Sequence, residues 1–294
     1  MGKDFFEVSE VARAIFEKAN SILGFDLSSV CFGGPEERLN QTDVSQPAIY
    51  VTSVAAYEGA RSRGIIDDAD VSVLAGLSLG EYTALHLGGA ISFENGLKLV
   101  AARGKYMQEA AVAVPSSMVA VLGADENAVA GLCEKAAQGE VLVAANFNAP
   151  GQIVVSGAMG ACKRVLQIAE AAGFKAIELK VAGAFHSPLM QPAADRMRSE
   201  LEKVRIARPE RMVYANVTAQ AHGEPDSIRK LLVEQIVRPV KWEQTMAGLI
   251  NQPMRFIELA PGRTLTGLAK KINRRAPIES LATADALGAA KETV

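Results

Sequence analysis

A chain of 294 residues with 49% hydrophobic and 22% charged side chains has the make-up of a globular protein large enough for one big domain or two smaller ones. Its 31 basic and 33 acidic residues leave a formal net charge of -2, which removes nucleic acid as an expected partner. No apolar run approaches the roughly 18 residues of a membrane-spanning helix, and Cys31, Cys133 and Cys162 form no C-x-x-C pair and have no histidine at ligand spacing, so reduced thiols, no metal and no membrane are expected.

The start, "MGKDFFEVSEVARAIFEKAN", is charged and amphipathic rather than a signal peptide, and Phe6 stands where myristoylation needs serine or threonine. Val8, Val11, Ile15, Ala19 and Ile22 share one helix face, closed by Gly24. A second helix follows in "QPAIYVTSVAAYEGARSRG", and then "VSVLA", residues 71 to 75, reads as a buried parallel strand. Next come a short helix to Leu87, the breakers Gly88 and Gly89, and a long helix from Phe93 to Ala111.

From there the rhythm changes. "SMVAVLGA", "VLVAANFN", "GQIVVSG" and "KAIELKV" read as strands, with helices at "DENAVAGLCEKAAQG" and "ACKRVLQIAEAAG". This β-α-β-β-α-β order is that of a ferredoxin-like unit. Helix and strand then alternate again through "PLMQPAADRMRSELEKV", "MVYANV", "SIRKLLVEQIV" and "RFIELA". The expected fold class is α/β: a large, mainly parallel subdomain of residues 1–113 and 184–294, into which a small α+β subdomain of residues 114–183 is inserted.

Between the strand at 71–75 and its helix lies "GLSLG", a G-x-S-x-G match. Alone it is weak, since chance alone gives such a match in roughly one chain in eight of this composition. The strand-turn-helix setting makes Ser78 a candidate nucleophile, with Gly76 and Gly80 expected where side chains would collide. Its base must come from three histidines. His86 lies about 12 Å along the following helix and cannot reach. His222, in "QAHGEPD", reads as a solvated turn residue. His186 follows "AIELKV" and "AGA" and precedes Ser187-Pro188, so it leaves the sheet in a loop able to overhang Ser78. No acid between the two stands out as a third member, which leaves a dyad with a backbone carbonyl holding the imidazole tautomer. Arg103 falls about 40° from Met107, at the edge of its helix's apolar face. Its residue pattern serves equally for a solvated side chain and for a carboxylate grip.

Six blocks in order now carry a resemblance: "GPEERLNQTDVSQPAIYVTSVA", "GLSLGEYTAL", "LVAARGKYMQEA", "NFNAPGQIVVSG", "GAFHSPLMQPAA" and "FIELAPGRTLTGLAKKI". The chain resembles the malonyl-CoA:acyl carrier protein transacylase family, acyltransferases of fatty acid and polyketide synthesis. The resemblance implies Ser78 as nucleophile, His186 as base, the Leu79 peptide N–H as an oxyanion donor and Arg103 as partner of the malonyl carboxylate. It also implies Gln235 as the residue whose main-chain carbonyl orients the histidine, and Asn146 and Asn148 as cleft-lining residues. Phe185 in "AFH" implies malonyl rather than methylmalonyl. Malonyl-CoA and acyl carrier protein are the implied partners, CoA and phosphopantetheine enter only as parts of substrates, no cofactor is implied, and a cytoplasmic monomer supplying fatty acid synthesis is expected.

Two departures from the family pattern bear on this. Leu77 replaces the histidine usual before the nucleophile, and the family's opening strand and G-Q-G-x-Q loop, with a second oxyanion donor, are not met before "MGKDFF". Two other readings therefore stand at this point: a serine hydrolase or thioesterase, which needs no charge clamp, and a catalytically impaired carrier-binding chain.

Overall fold

The chain opens with two helices where the periodicity predicts one. In the computed structural model, which describes residues 1–288, the extended Ser9 accepts the Ala12 N–H through its side chain, so Lys3–Val8 ends and Glu10–Leu23 begins there. The inward face of the second helix is Ala12, Phe16 and Ala19, whereas Val8 and Val11 are 49% and 39% exposed. Ala19 is common to both stripes, and the buried one is turned by about 70° from the expected one, because the aromatic Phe16 takes the core position. Two short helices, Leu27–Gly33 and Glu36–Leu39, were not expected from the sequence. The helices Thr42–Ser62 and Phe93–Ala113 pack along each other, with the Tyr50 and Phe93 rings stacked at 5.7 Å.

The strands in chain order are β1 (Val73–Leu74), β2 (Ser116–Leu122), β3 (Leu142–Ala149), β4 (Gln152–Ala158), β5 (Lys175–Glu178), β6 (Met212–Ala215), β7 (Gln220–Ala221), β8 (Val240–Lys241), β9 (Phe256–Leu259) and β10 (Ile278–Leu281). β1 is shorter than residues 71–75 and only half-buried. It is an edge strand, parallel to β6 on one side, in the order β1-β6-β7. β9 and β10 form a separate parallel pair.

The third sheet has the order β5-β2-β4-β3-β8. Its first four strands are antiparallel, and β8 adds to the β3 edge in parallel. Alternation along β2 splits its residues between two faces. Val119 and Val121 pack beneath the helices Glu126–Ala137 and Met159–Ala171, while Met118 and Ala120 look the other way, onto Ala145, Val154 and Phe185. Phe185 therefore joins this sheet's second face to the loop carrying His186. The helix Gln191–Glu202 packs on Phe93–Ala113 and on Pro225–Val237, while Trp242–Leu249 and Thr264–Ile272 pack against β3. Among the described residues no helix is long and apolar enough to cross a membrane.

Candidate active site

Ser78 sits just past β1, and Asn216 just past β6, so the site lies at the carboxyl ends of two parallel strands, where α/β sheets open a crevice. Ser78 has φ 50° and His186 has φ 57°, both in the left-handed region that costs a non-glycine residue about 1–3 kcal/mol. Ser78 is held at that cost from both ends of its residue. Its N–H donates to Asn216 Oδ1 at 2.6 Å, and its C=O accepts from Gln235 Nε2 at 2.9 Å.

The turn also depends on glycine, but on one glycine rather than the two expected. A Cβ on Gly76 would lie 2.0 Å from the Gly80 carbonyl carbon, whereas a Cβ on Gly80 would meet nothing within 4 Å. Backbone cannot yield as a flexible side chain would. Gly76→Ala should therefore cost about 3 kcal/mol or more, and Gly80→Ala in the first helical turn should be neutral or stabilising by up to about 1 kcal/mol. Urea midpoints of the two variants check this directly.

Ser78 Oγ lies 2.8 Å from His186 Nε2, and His186 Nδ1 lies 2.6 Å from the Gln235 carbonyl oxygen. A carbonyl can only accept, so Nδ1 carries the proton and the neutral Nε2 has a lone pair to receive the hydroxyl proton. That carbonyl is free for a local reason. Gln235 is in the last turn of the helix Pro225–Val237, and its helical donor would be the N–H of residue 239, which is Pro239. Burial, with the Arg103 charge second, lowers the His186 pKa to about 4 against the opposing Gln235 bond, so the imidazole is neutral near pH 7.

Among the described residues Arg103 is the largest fully buried side chain, at 1% exposure, which decides between the two readings its residue pattern allowed. Its guanidinium donates to Gln46 Oε1 at 2.6 Å, to Gln235 Oε1 at 3.0 Å and to Ser78 Oγ at 3.0 Å, while Nε has no partner. Burial pushes its pKa down, opposed by Tyr82 and Glu81. Every one of these acceptors is neutral. A buried cation so held is under-compensated and suited to receive a carboxylate. Because arginine can only donate, the Ser78 hydroxyl is left to donate to His186, and Arg103 stabilises the negative charge that develops on Oγ as the proton leaves.

Leu79 directly follows Ser78 as N-cap of the helix Gly80–Leu87, at the positive end of that helix's dipole. Asn146 is buried on β3 opposite Val240, and the Asn148 side-chain oxygen is buried without a partner. His86 is directed elsewhere, its Nδ1 paired with the Ile91 carbonyl at 3.1 Å. His222 is the correction. It is not a solvated turn residue: its side chain is buried, with Nε2 2.8 Å from Glu81 Oε1.

Sequence reasoning also missed Glu81, Asn216 and Gln46. Glu81 had a detectable signal, being the lone acid in the otherwise apolar or neutral helix "GEYTALHL". Asn216 and Gln46 had none, since each reaches the site through contacts distant in sequence.

The profile of the family described as "Acyl transferase domain" matches residues 1–291. A malonyl CoA-acyl carrier protein transacylase of Bacillus subtilis is 38% identical over 288 residues, covering 97% of this chain and 89% of that protein. The solved malonyl CoA-acyl carrier protein transacylase of Coxiella burnetii superposes with a TM-score of 0.93 at 39% identity, over 98% of this chain and 90% of that one. A malonyl-transacylase solved in complex with a type II PKS acyl-carrier protein gives a TM-score of 0.91 at 35% identity, over 98% and 93%.

Proposed function

The chain belongs to the acyl transferase domain family, and we propose that it moves a malonyl group from malonyl-CoA to the phosphopantetheine thiol of an acyl carrier protein through a malonyl-Ser78 ester. The observation that carries this reading is a fully buried Arg103 held only by neutral acceptors, one of them the Ser78 hydroxyl. An acyl group with a free carboxylate completes that site. A thioesterase acting on uncharged acyl groups would have no use for it.

In the first half-reaction Ser78 Oγ attacks the thioester carbonyl as its proton passes to His186 Nε2. The Leu79 N–H supports the oxyanion. Collapse breaks the C–S bond, and His186 returns the proton to the CoA thiolate. In the second, the carrier thiol gives its proton to His186 and attacks the ester, and Ser78 Oγ leaves with that proton. Proton and electron pairs balance without a cofactor, and two half-reactions at one site make the kinetics ping-pong.

Arg103 grips the malonyl carboxylate as malonyl-CoA binds and keeps hold of it in the ester. Phe185, packed on Met118, Ala145 and Val154, crowds a branch at the acyl α-carbon, a discrimination of about 1–3 kcal/mol. Asn146 and Asn148 line the cleft. Residues 114–183 form the small subdomain and residues 1–113 and 184–288 the large one, with Phe185 at the seam; residues 289–294 of the expected large subdomain lie outside the described residues. A reducing, cytoplasmic setting suits three buried free thiols whose pKa values burial raises to about 11.

Incubation with malonyl-CoA followed by intact-mass measurement should show one malonyl adduct per chain, and none in Ser78→Ala. An unmodified wild-type chain, or an adduct that survives in Ser78→Ala, overturns the reading. Parallel incubations with acetyl-CoA and methylmalonyl-CoA should give slower or no adduct.

A further inference from the structure

Beneath the reacting groups lies a buried polar cluster that the mechanism above leaves without a task. Glu81 is 0% exposed and its carboxylate has three donors. Oε1 accepts from His222 Nε2 at 2.8 Å, and Oε2 accepts from the Asn216 peptide N–H at 3.0 Å and from Gln235 Nε2 at 2.7 Å. Asn216 and Gln235 are the two residues that clamp the strained Ser78 backbone, one at its N–H and one at its C=O. Asn216 also donates to the Gly76 carbonyl at 2.8 Å, at the other side of the turn.

The Gln235 side chain is the joint of this cluster. Its Oε1 faces the Arg103 guanidinium and its Nε2 faces the Glu81 carboxylate. An amide placed between a cation and an anion has its dipole set by both, so a flip would put N–H against N–H and oxygen against oxygen. Fixing the side chain also fixes the residue whose main-chain carbonyl holds His186 Nδ1. The main-chain carbonyl alone would serve the histidine with any side chain at 235. The amide, however, reaches Arg103, Ser78 and Glu81 at once.

We propose that Glu81 and the side-chain amide of Gln235 form a positioning bridge that sets Ser78, His186 and Arg103 in one mutual geometry for acyl transfer. The proposal rests on the acyl-transfer reading of the site. It names no group that touches the substrate. Glu81 acts through Asn216 and Gln235, and His222 holds the carboxylate from its far side.

The test uses the full chain in two variants. Gln235→Met keeps the main-chain carbonyl and the side-chain bulk but removes the amide; Glu81→Gln keeps the shape but removes the anion. Single-turnover labelling is followed by intact mass with two reagents, malonyl-CoA and a fluorophosphonate. The latter bonds to Ser78 Oγ with loss of fluoride and needs the Ser78–His186 geometry but no carboxylate clamp. In this design the rate constant reports geometry at each folded site, and the amplitude reports the fraction folded.

Misplacing reacting groups by about 1 Å costs on the order of 10²-fold, so Gln235→Met should label about 10- to 100-fold slower with both reagents, and Glu81→Gln about 10-fold slower, at full amplitude. A wild-type rate constant in either variant, whatever the amplitude, overturns the proposal, because a purely structural role lowers the amplitude alone. If one variant fails to fold, the other decides. If the wild-type chain takes the fluorophosphonate but not malonyl-CoA, the acyl-transfer reading fails while the fluorophosphonate rates still judge the bridge.

Discussion

Arg103→Ala should lower kcat/KM for malonyl-CoA by about 10³-fold and leave that for acetyl-CoA within about tenfold of wild type. The figure follows from the contacts. A guanidinium that binds a carboxylate through two charge-assisted hydrogen bonds contributes about 1.5–3 kcal/mol from each, and each 1.4 kcal/mol is tenfold. Alanine would also leave the malonyl carboxylate in a buried site without a counter-charge, a desolvation loss that acetyl-CoA never meets. Two smaller effects act on both substrates and oppose each other. Losing the Nη2 donor on Ser78 Oγ weakens support for the developing alkoxide, while losing the nearby cation makes His186 a stronger base. Arg103→Lys should recover little, because a single ammonium cannot reproduce the planar fork held between Gln46 and Gln235. The measurement is kcat/KM for both thioesters in each variant. Malonyl transfer at the wild-type rate in Arg103→Ala would refute the carboxylate clamp.

The parts of the site legible in the sequence were those made by local geometry. "VLAGLSLGEY" signals a strand, a sharp turn and a helix because an apolar run precedes the glycine-flanked serine and a helical pattern follows it, and β1, Ser78 and the helix Gly80–Leu87 follow in that order. His186 could be singled out by its place after the strand pattern "AIELKV" and before Ser187-Pro188, while His86 rides a helix too far along its axis. Contacts distant in sequence were not legible. His222 in "QAHGEPD" carries every mark of a solvated turn, yet 141 residues separate it from the Glu81 that buries it. Tertiary packing overrode that local signal.

The fold divides in the same way. The β-α-β-β-α-β run was readable from period and breakers. β8, two residues long, gains its place only by pairing with β3, and no two-residue pattern can announce that. At the first helix the hydrophobic periodicity was real but Ser9 interrupted it. A capping serine outweighed the apolar face, and the inward stripe shifted to Ala12, Phe16 and Ala19.

The two half-reactions should differ in their acid limbs, with kcat/KM for the carrier thiol falling at higher pH than kcat/KM for malonyl-CoA. Each quantity reports ionisations of the enzyme form that meets its substrate: the free enzyme for malonyl-CoA, the malonyl-enzyme for the carrier. In the free enzyme His186 has a pKa of about 4, set first by burial and second by the Arg103 charge. Malonyl-CoA turnover should therefore stay nearly flat from pH 7 to about pH 5. With the proposed clamp closed, the acyl carboxylate of the malonyl-enzyme cancels the Arg103 charge, so the second cause disappears while burial remains. The His186 pKa then rises, and the protonated fraction, which cannot act as base, grows at a pH where the free enzyme is still fully competent. At pH 5 the carrier half-reaction should lose at least about threefold more of its neutral-pH rate than the malonyl-CoA half-reaction. The sign for folding is the same on the acid side. A histidine whose pKa is lower in the fold than in the unfolded chain costs stability as pH falls below the ordinary imidazole value, because the unfolded chain binds the proton first. The rates must therefore be compared over a pH range in which circular dichroism shows the chain still folded. Rapid-quench measurement of each half-reaction supplies them, and superimposable acid limbs would mean that Arg103 and the bound carboxylate do not neutralise each other beside His186.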